Sequence, residues 1–262
     1  SEWKKNQQSI MANTKFTYNE YSLILNSIKP RLSSFKLSMS DDFVLMRHDV
    51  EFDISRAFEL AKIESEHGAK STFFFQVLSS AYNPFSTVNK NIIKEIKDLG
   101  HDVGLHFYVT HIEDGNIDQL HEQLNTQKTL FEEGLNMECN SFSFHRPPKW
   151  VLEIRNDEIS GMINAYGPSF FEFSPNPKEI IYLADSQHKW AYGYPLDHLS
   201  SAKIQILTHP DEWTLNGDND NKEYFSNIIK DHTKNFIETL DNETKHFNKH
   251  KKFSLENMYL WQ

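Results

Sequence analysis

Residues 43–53 read FVLMRHDVEFD and decide the fold, because four apolar residues run directly into a segment that holds five ionisable ones. The apolar part is typical of a buried strand. Charged side chains at the end of such a strand are costly to desolvate unless they pair with one another or hold a metal ion. We therefore predict that this strand ends in a functional site.

Further apolar runs alternate with helical patterns along the chain, which is the signature of repeated βα units. The predicted strands are residues 42–49, 70–77, 101–107, 140–146, 179–185 and 203–210. Amphipathic helices are predicted between them, and three of these are expected to stop at a glycine, namely Gly68, Gly100 and Gly134.

The length bounds the number of domains. At 262 residues the chain matches one α/β-barrel domain as well as it matches two smaller domains, and we predict a single domain over residues 1–262. Residues 1–12 are expected to be a flexible or artificial end and carry no part of the fold prediction.

The composition limits the classes of function. Hydrophobic residues make up 38% of the chain and aromatic residues 13%, which supplies a sizeable core without disulfides. A formal charge of −10 disfavours nucleic acid and anionic membranes as partners. Cys139 is the single cysteine, and no apolar stretch is long enough for a signal peptide or a membrane span, so we expect a cytoplasmic protein.

Polar side chains follow the predicted strands at their carboxyl ends. They are Asp49, Glu51, His106, His111, Arg146, Asp185 and His209. In a parallel barrel these ends share one face, which is where barrel enzymes build their active sites. The sequence therefore predicts that these side chains converge.

The order of four motifs resembles that of the polysaccharide deacetylases, the NodB-homology carbohydrate esterases. The motifs are RHDVE (47–51), GHDVGLHFYVTH (100–111), FHRPPKW (144–150) and ILTHP (206–210). The combination looks like the divergent branch found with bacterial surface-polysaccharide biosynthesis, which includes lipopolysaccharide and O-antigen. The resemblance implies an α/β fold with a single-domain, distorted (β/α) barrel of the polysaccharide deacetylase type.

The resemblance also implies roles for single residues. Asp49 is the expected general base, Arg146 is expected to hold it, and His209 is the expected general acid. The expected ligands of one divalent metal ion, with zinc first, are Glu51, His106 and His111. Two imidazoles and a carboxylate suit such an ion, which lowers the pKa of a bound water and polarises an amide oxygen.

The chain departs from the family pattern at the expected metal site. Val50 separates the two acidic residues, and the second of these is a glutamate where the family has aspartate. His106 and His111 are five positions apart, whereas the family's histidines are four apart. Tyr108, His145 or water are therefore alternatives to His111 as a ligand.

Three residues are expected to contact the substrate, namely His145, Trp150 and Asp185. A tryptophan in a sugar-binding cleft stacks on the face of a pyranose ring, which is the role expected of Trp150. For Asp185 the alternative is that its side chain caps a turn.

The combined pattern predicts a metal-dependent hydrolase that removes an N-acyl group, first of all N-acetyl, from an amino sugar or a sugar-linked intermediate. The expected partner is a nucleotide-linked or lipid-linked saccharide. The alternative is a catalytically inactive barrel that binds a glycan or a biosynthetic partner, which Glu51 and the stretched histidine spacing favour. A glycosidase that uses Asp49 and Glu51 ranks last, because residues two apart on one strand lie too close for the inverting geometry.

Overall fold

The structure is a computed structural model that describes residues 14–37, 39–109, 112–172 and 179–247. The chain divides into two compact units, Ser1–Asn219 and Asp220–Gln262. All the predicted site residues fall in the first unit. That residues 1–262 act as one domain stays a prediction.

Strands and helices alternate through the first unit. Its strands are β1 (Leu32–Ser33), β2 (Phe43–Val50), β3 (Thr72–Phe75), β4 (Asp102–Tyr108), β5 (Ser141–His145), β6 (Glu158–Ile159), β7 (Met162–Asn164), β8 (Ile180–Ala184) and β9 (Lys203–Thr208). Its helices are α1 (Tyr18–Ile28), α2 (Ile54–Glu66), α3 (Thr87–Asp98), α4 (Ile117–Leu135) and α5 (Lys149–Leu152), with 3-10 turns at Lys29–Arg31, Pro195–His198 and Pro210–Glu212. The second unit contains α6 (Asn221–Glu243).

The strands form one sheet in the order β6-β7-β5-β4-β3-β2-β9-β8, with β1 beside β2. All the pairs are parallel except β6 with β7. The sheet curls into a half-barrel whose path has two ends, β6 and β8, in the described part of the chain. The predicted α/β class and distorted barrel are confirmed, and each of the six predicted strands is present.

Glycines end two of the helices as predicted, and a third glycine has another role. Gly68 and Gly100 follow α2 and α3 with φ angles of 68° and 96°, in the left-handed region that favours glycine. Helix α4, in contrast, continues through Gly134 and is capped by Asn136. A Cβ atom on Gly134 would overlap the ring of Phe85. Close packing of that ring therefore requires the glycine.

The side chains of β2 alternate between two faces of the sheet. Val44 belongs to the main core, which the helices of the first unit cover. Phe43 and Leu45 belong to a second apolar cluster on the opposite face. By alternation, Arg47 and Asp49 continue that opposite face toward the carboxyl end of the strand. Arg47 and Asp49 thus lie on the same face of the sheet as the apolar side chains of Phe43 and Leu45.

Candidate metal and catalytic centre

One carboxylate and two imidazoles come together at the carboxyl ends of strands β2, β4 and β5. Oε1 of Glu51 lies 2.8 Å from Nδ1 of His145 and 3.7 Å from Nε2 of His106. The two histidine nitrogens are 3.1 Å apart. Tyr108 stacks on the His145 ring with a centroid distance of 4.8 Å, which fixes the direction of that ring. Strands β2, β4 and β5 therefore build a compact cluster of three potential metal ligands.

The charge of Glu51 is stabilised inside this cluster. Burial alone would raise the pKa of Glu51, but the neighbouring imidazoles of His106 and His145 hold it well below its ordinary value. The Glu51 side chain is still 21% exposed. An ionised carboxylate therefore lies beside two imidazoles at a position that solvent and small molecules can reach.

The cluster fits a divalent ion of the zinc type. Zinc binds histidine nitrogen and carboxylate oxygen at about 2.0–2.2 Å, so neighbouring ligand atoms of a tetrahedral site lie about 3.3 Å apart. The three separations between Glu51, His106 and His145 bracket that value, at 2.8, 3.1 and 3.7 Å. Three protein ligands leave a fourth position open, as in catalytic rather than structural zinc sites.

Asp49 lies on the other side of the His106 ring. Its Oδ2 is 3.8 Å from Nδ1 of His106, and its Oδ1 accepts a hydrogen bond of 2.9 Å from the hydroxyl of Ser143. Oγ of Ser143 is in turn 2.8 Å from Nδ1 of His106. Asp49 is thus next to the ligand cluster but is not one of its three members.

Arg47 is the cation beside Asp49. Its side chain is fully buried, with one guanidinium nitrogen 3.7 Å from Oδ2 of Asp49 and the guanidinium carbon 4.4 Å from the centre of the Tyr166 ring. Burial would lower the pKa of Arg47, but the charge of Asp49 and the neighbouring tyrosines Tyr166 and Tyr182 raise it. A charge this deep in the sheet is held there by an opposite charge and an aromatic face.

His209 forms the third part of the site. Its Nδ1 is 2.7 Å from Oδ1 of Asp185, and its backbone N–H also donates to that carboxylate. Trp213 donates its indole N–H to Oδ2 of Asp185 at 2.8 Å. Burial works to lower the pKa of His209, but Asp185 and Glu51 raise it well above its ordinary value. Nε2 of His209 lies 3.9 Å from Oε1 of Glu51, so a protonated imidazole faces the ligand cluster.

The structure places several predicted residues differently from the expectation. Arg146, expected to hold Asp49, is exposed and has a left-handed backbone with φ 48°. The cation beside Asp49 is instead Arg47, because residues two apart on β2 share a face. Asp185, expected to contact substrate, is fully buried, and both of its oxygens are used by His209 and Trp213.

The remaining predicted residues have mixed outcomes. His111 lies outside the described residues. His145, expected to contact substrate and considered as an alternative ligand, lies in the ligand cluster. Trp150 is partly buried and packs against the main core, and its indole nitrogen has no hydrogen-bond partner within the described ranges. The roles of these residues in catalysis or binding stay predictions.

Sequence reasoning missed Arg47 and Ser143, although the sequence carries a signal for both. Residues 47, 49 and 51 have the same parity, which places Arg47 on the face of Asp49. Ser143 has the same parity as His145 on β5. That Ser143 is the partner of His106 follows from the register of β4 and β5, which the sequence does not contain.

A second buried polar cluster lies on the helix-covered face of β2. Glu64, from α2, contacts Nε2 of His48 at 2.8 Å and Nδ1 of His101 at 3.2 Å. The hydroxyls of Tyr21 and Ser71 also donate to its carboxylate. Burial would raise the pKa of Glu64, but the two histidines lower it below its ordinary value. These contacts tie the strand that carries Asp49 to the helix layer.

Comparison with known proteins gives matches in structure alone. No protein-family model matches the chain, and no curated protein matches it in sequence. One similar structure is that of wild-type BA3943, a CE4 family pseudoenzyme from Bacillus anthracis, with a TM-score of 0.43 and 16% identity over 73% of this chain. The match spans only 60% of the length of that protein.

Two further matches span more of the compared proteins. A family 4 carbohydrate esterase from Bacillus anthracis has a TM-score of 0.39 and 15% identity, over 86% of this chain and 93% of that one. A family 4 acetyl xylan esterase from Clostridium thermocellum, in complex with a cobalt ion, has a TM-score of 0.38 and 12% identity, over 76% and 84%. The chain is thus similar to proteins of the class that its motifs resemble.

No helix in the described ranges combines the length and the apolar character that crossing a bilayer requires.

Proposed function

We propose that this protein is a metal-dependent hydrolase that removes an N-acyl group, first of all N-acetyl, from an amino sugar. The observation that carries the proposal is the cluster of Glu51, His106 and His145, with the carboxylate of Asp49 on one flank and a protonated His209 beside it. Hydrolysis of an amide needs an activated water, a polarised carbonyl and a proton for the departing amine. This constellation supplies a group for each need.

Glu51, His106 and His145 would hold the ion, with zinc the first candidate. A bound divalent ion lowers the pKa of water and polarises a carbonyl oxygen. Glu51 keeps its negative charge in the cluster, so the ligand set would combine one carboxylate with two imidazoles. Such a set leaves a net positive site with any divalent ion, which suits an oxygen that gains negative charge during hydrolysis.

Asp49 is the proposed general base. Ser143 donates to one of its oxygens at 2.9 Å, and Arg47 lies 3.7 Å from the other, so the carboxylate is held from both sides. A base restrained in this way is aimed before the substrate arrives. Asp49 would accept the proton that the attacking water loses as the bond between oxygen and the acyl carbon forms.

His209 is the proposed general acid. Asp185 accepts from Nδ1 at 2.7 Å, and the raised pKa of His209 keeps the ring protonated near neutral pH. Nε2 would then deliver a proton to the sugar nitrogen as the bond between that nitrogen and the acyl carbon breaks. The products are a free amine on the sugar and a carboxylate. Because Asp185 is fully buried, it acts as a positioning residue for His209.

The substrate class is proposed as a saccharide of surface-polysaccharide biosynthesis, linked to a nucleotide or a lipid, and the place of action as the cytoplasm. The sequence motifs support this assignment. Trp150, in the short helix α5 that follows His145, is proposed to stack on a pyranose ring, and Arg146 is exposed between β5 and that helix.

An assay of amine release tests the proposal. Wild-type protein with zinc, cobalt or manganese is incubated with N-acetylated nucleotide sugars and N-acetylglucosamine oligosaccharides, with and without a chelator. We expect release by wild type that the chelator abolishes and that Glu51→Gln lowers by about 10²-fold or more. Glycan binding by wild type without any hydrolysis would instead support the inactive barrel. Hydrolysis that survives the chelator and Glu51→Gln would contradict the metal-dependent mechanism.

A further inference from the structure

Ser143 lies between the proposed base and a proposed metal ligand. Its Oγ is 2.9 Å from Oδ1 of Asp49 and 2.8 Å from Nδ1 of His106. The register of β4 and β5 pairs His106 directly with Ser143, so the two side chains are cross-strand neighbours. Because Ser143 is fully buried, its hydroxyl is committed to these two groups.

The hydroxyl of Ser143 has one proton for two contacts. Asp49 forms an ion pair with Arg47 at 3.7 Å, and an ionised carboxylate can only accept a hydrogen bond. The proton of Ser143 therefore goes to Asp49. The second contact is satisfied only if the oxygen of Ser143 accepts, which requires a proton on Nδ1 of His106.

We infer that Ser143 holds the neutral His106 ring in the tautomer that has its proton on Nδ1 and a free lone pair on Nε2. Nε2 is the atom that faces the ligand cluster, at 3.1 Å from Nδ1 of His145 and 3.7 Å from Oε1 of Glu51. A ring nitrogen binds a metal ion only when it carries no proton. The inference rests on the proposed function and deepens it, because Ser143 becomes a positioning residue that links the base to the metal ligand.

The same contacts explain why a serine suits this position. A carboxylate directly on Nδ1 of His106 would fix the same tautomer but would compete with Asp49 for the charge of Arg47. A hydroxyl can donate and accept at once, so it joins Asp49 to His106 without adding a charge to a buried position. Ser143 thus forms hydrogen bonds with both Asp49 and His106 and avoids the desolvation of an additional buried charge.

NMR spectroscopy of metal-free protein with ¹⁵N-labelled histidine reads the tautomer directly, and the His106→Ala variant assigns the signal. In wild type we expect the proton of His106 on Nδ1. In Ser143→Ala the acceptor is lost, so the form with the proton on Nε2 should become populated. Ser143→Thr keeps the hydroxyl and should keep the wild-type tautomer. Ser141→Ala, on the same strand and face, should change nothing. A proton on Nε2 in wild type, or an unchanged tautomer in Ser143→Ala, would overturn the inference.

Zinc binding by calorimetry supplies a second readout that does not involve activity. Loss of a group that orients a metal-bound histidine costs about 10–100-fold in metal affinity, and we expect a loss of this size for Ser143→Ala but none for Ser141→Ala. Equal affinity in Ser143→Ala and wild type would contradict the positioning role. If wild type binds no zinc, the proposed function fails, whereas the tautomer assignment is still decided by the NMR spectrum.

Discussion

Asp185→Asn isolates the contribution of a buried carboxylate that touches no substrate. Oδ1 of Asp185 accepts from Nδ1 of His209 at 2.7 Å, and Oδ2 accepts from the indole N–H of Trp213 at 2.8 Å. Asparagine replaces one of these acceptors by an NH₂ group, which can only donate. The indole N–H of Trp213 can also only donate. The amide oxygen of the asparagine should therefore face Trp213, and its NH₂ group should face His209.

The consequence for His209 follows from this orientation. Nδ1 must then accept a hydrogen bond, so the neutral ring carries its single proton on Nε2. Adding a proton to Nδ1, which would form the imidazolium, becomes unfavourable because Nδ1 faces the NH₂ donor. The removal of Asp185 also lowers the pKa of His209, since that carboxylate is the main group that raises it. A neutral imidazole is a poor proton donor, so turnover should fall by about 10²–10⁴-fold, the usual contribution of a general acid. The free energy of unfolding should fall by only about 1–3 kcal/mol.

The assay is amine release over a range of substrate concentrations up to saturation, with kcat and KM determined separately for Asp185→Asn, His209→Ala and the double variant. We expect kcat to fall with little change in KM, because the acid acts in the transition state. In the double variant kcat should match that of His209→Ala, since Asp185 acts only through His209. A double variant that is much slower than His209→Ala, or an Asp185→Asn enzyme with more than half of the wild-type kcat, would refute this reasoning.

Two further predictions concern stability and are measured by chemical denaturation. Glu64→Gln should lower the free energy of unfolding by about 1–3 kcal/mol at pH 7, and exposed Glu66→Gln on the same helix should not. Because the folded-state pKa of Glu64 is depressed, this stabilisation is present above about pH 4.3 and is lost as the pH falls through the folded-state value. Arg47→Met should cost about 3–5 kcal/mol because it leaves Asp49 buried and unpaired, whereas exposed Arg146→Ala should stay within about 0.5 kcal/mol. Equal losses within either pair would contradict the corresponding assignment.

The strands of the fold could be predicted because each combines an apolar run with a clear stop. Strand β2 opens with four consecutive apolar residues before its charged ones, and strand β9 is apolar at three of its six positions and ends at Thr208. The helices between strands are closed by Gly68 and Gly100. Strands β1, β6 and β7 could not be predicted, because two or three residues show no periodicity. The role of Gly134 depends on its contact with Phe85, which is distant in sequence.

The site could be predicted as a set of residues but not as a set of contacts. Asp49, Glu51, His106 and His209 do converge, because parallel strands bring their carboxyl ends to one edge. Which histidine completes the cluster depends on the register of β4 and β5, which places His145 3.1 Å from His106. The spacing of residues within one segment of the sequence does not reveal the register between two strands.

The metal content of purified, zinc-loaded protein tests the central claim most directly. Wild type should hold about one zinc ion per chain, and His145→Ala should hold close to none, because that variant removes one of the three ligand atoms. His121→Ala is the matched control, since His121 is exposed and contacts Ser160 at 3.0 Å outside the cluster, and it should keep the wild-type content. Equal zinc content in His145→Ala and wild type would contradict the assignment of Glu51, His106 and His145 as the metal centre.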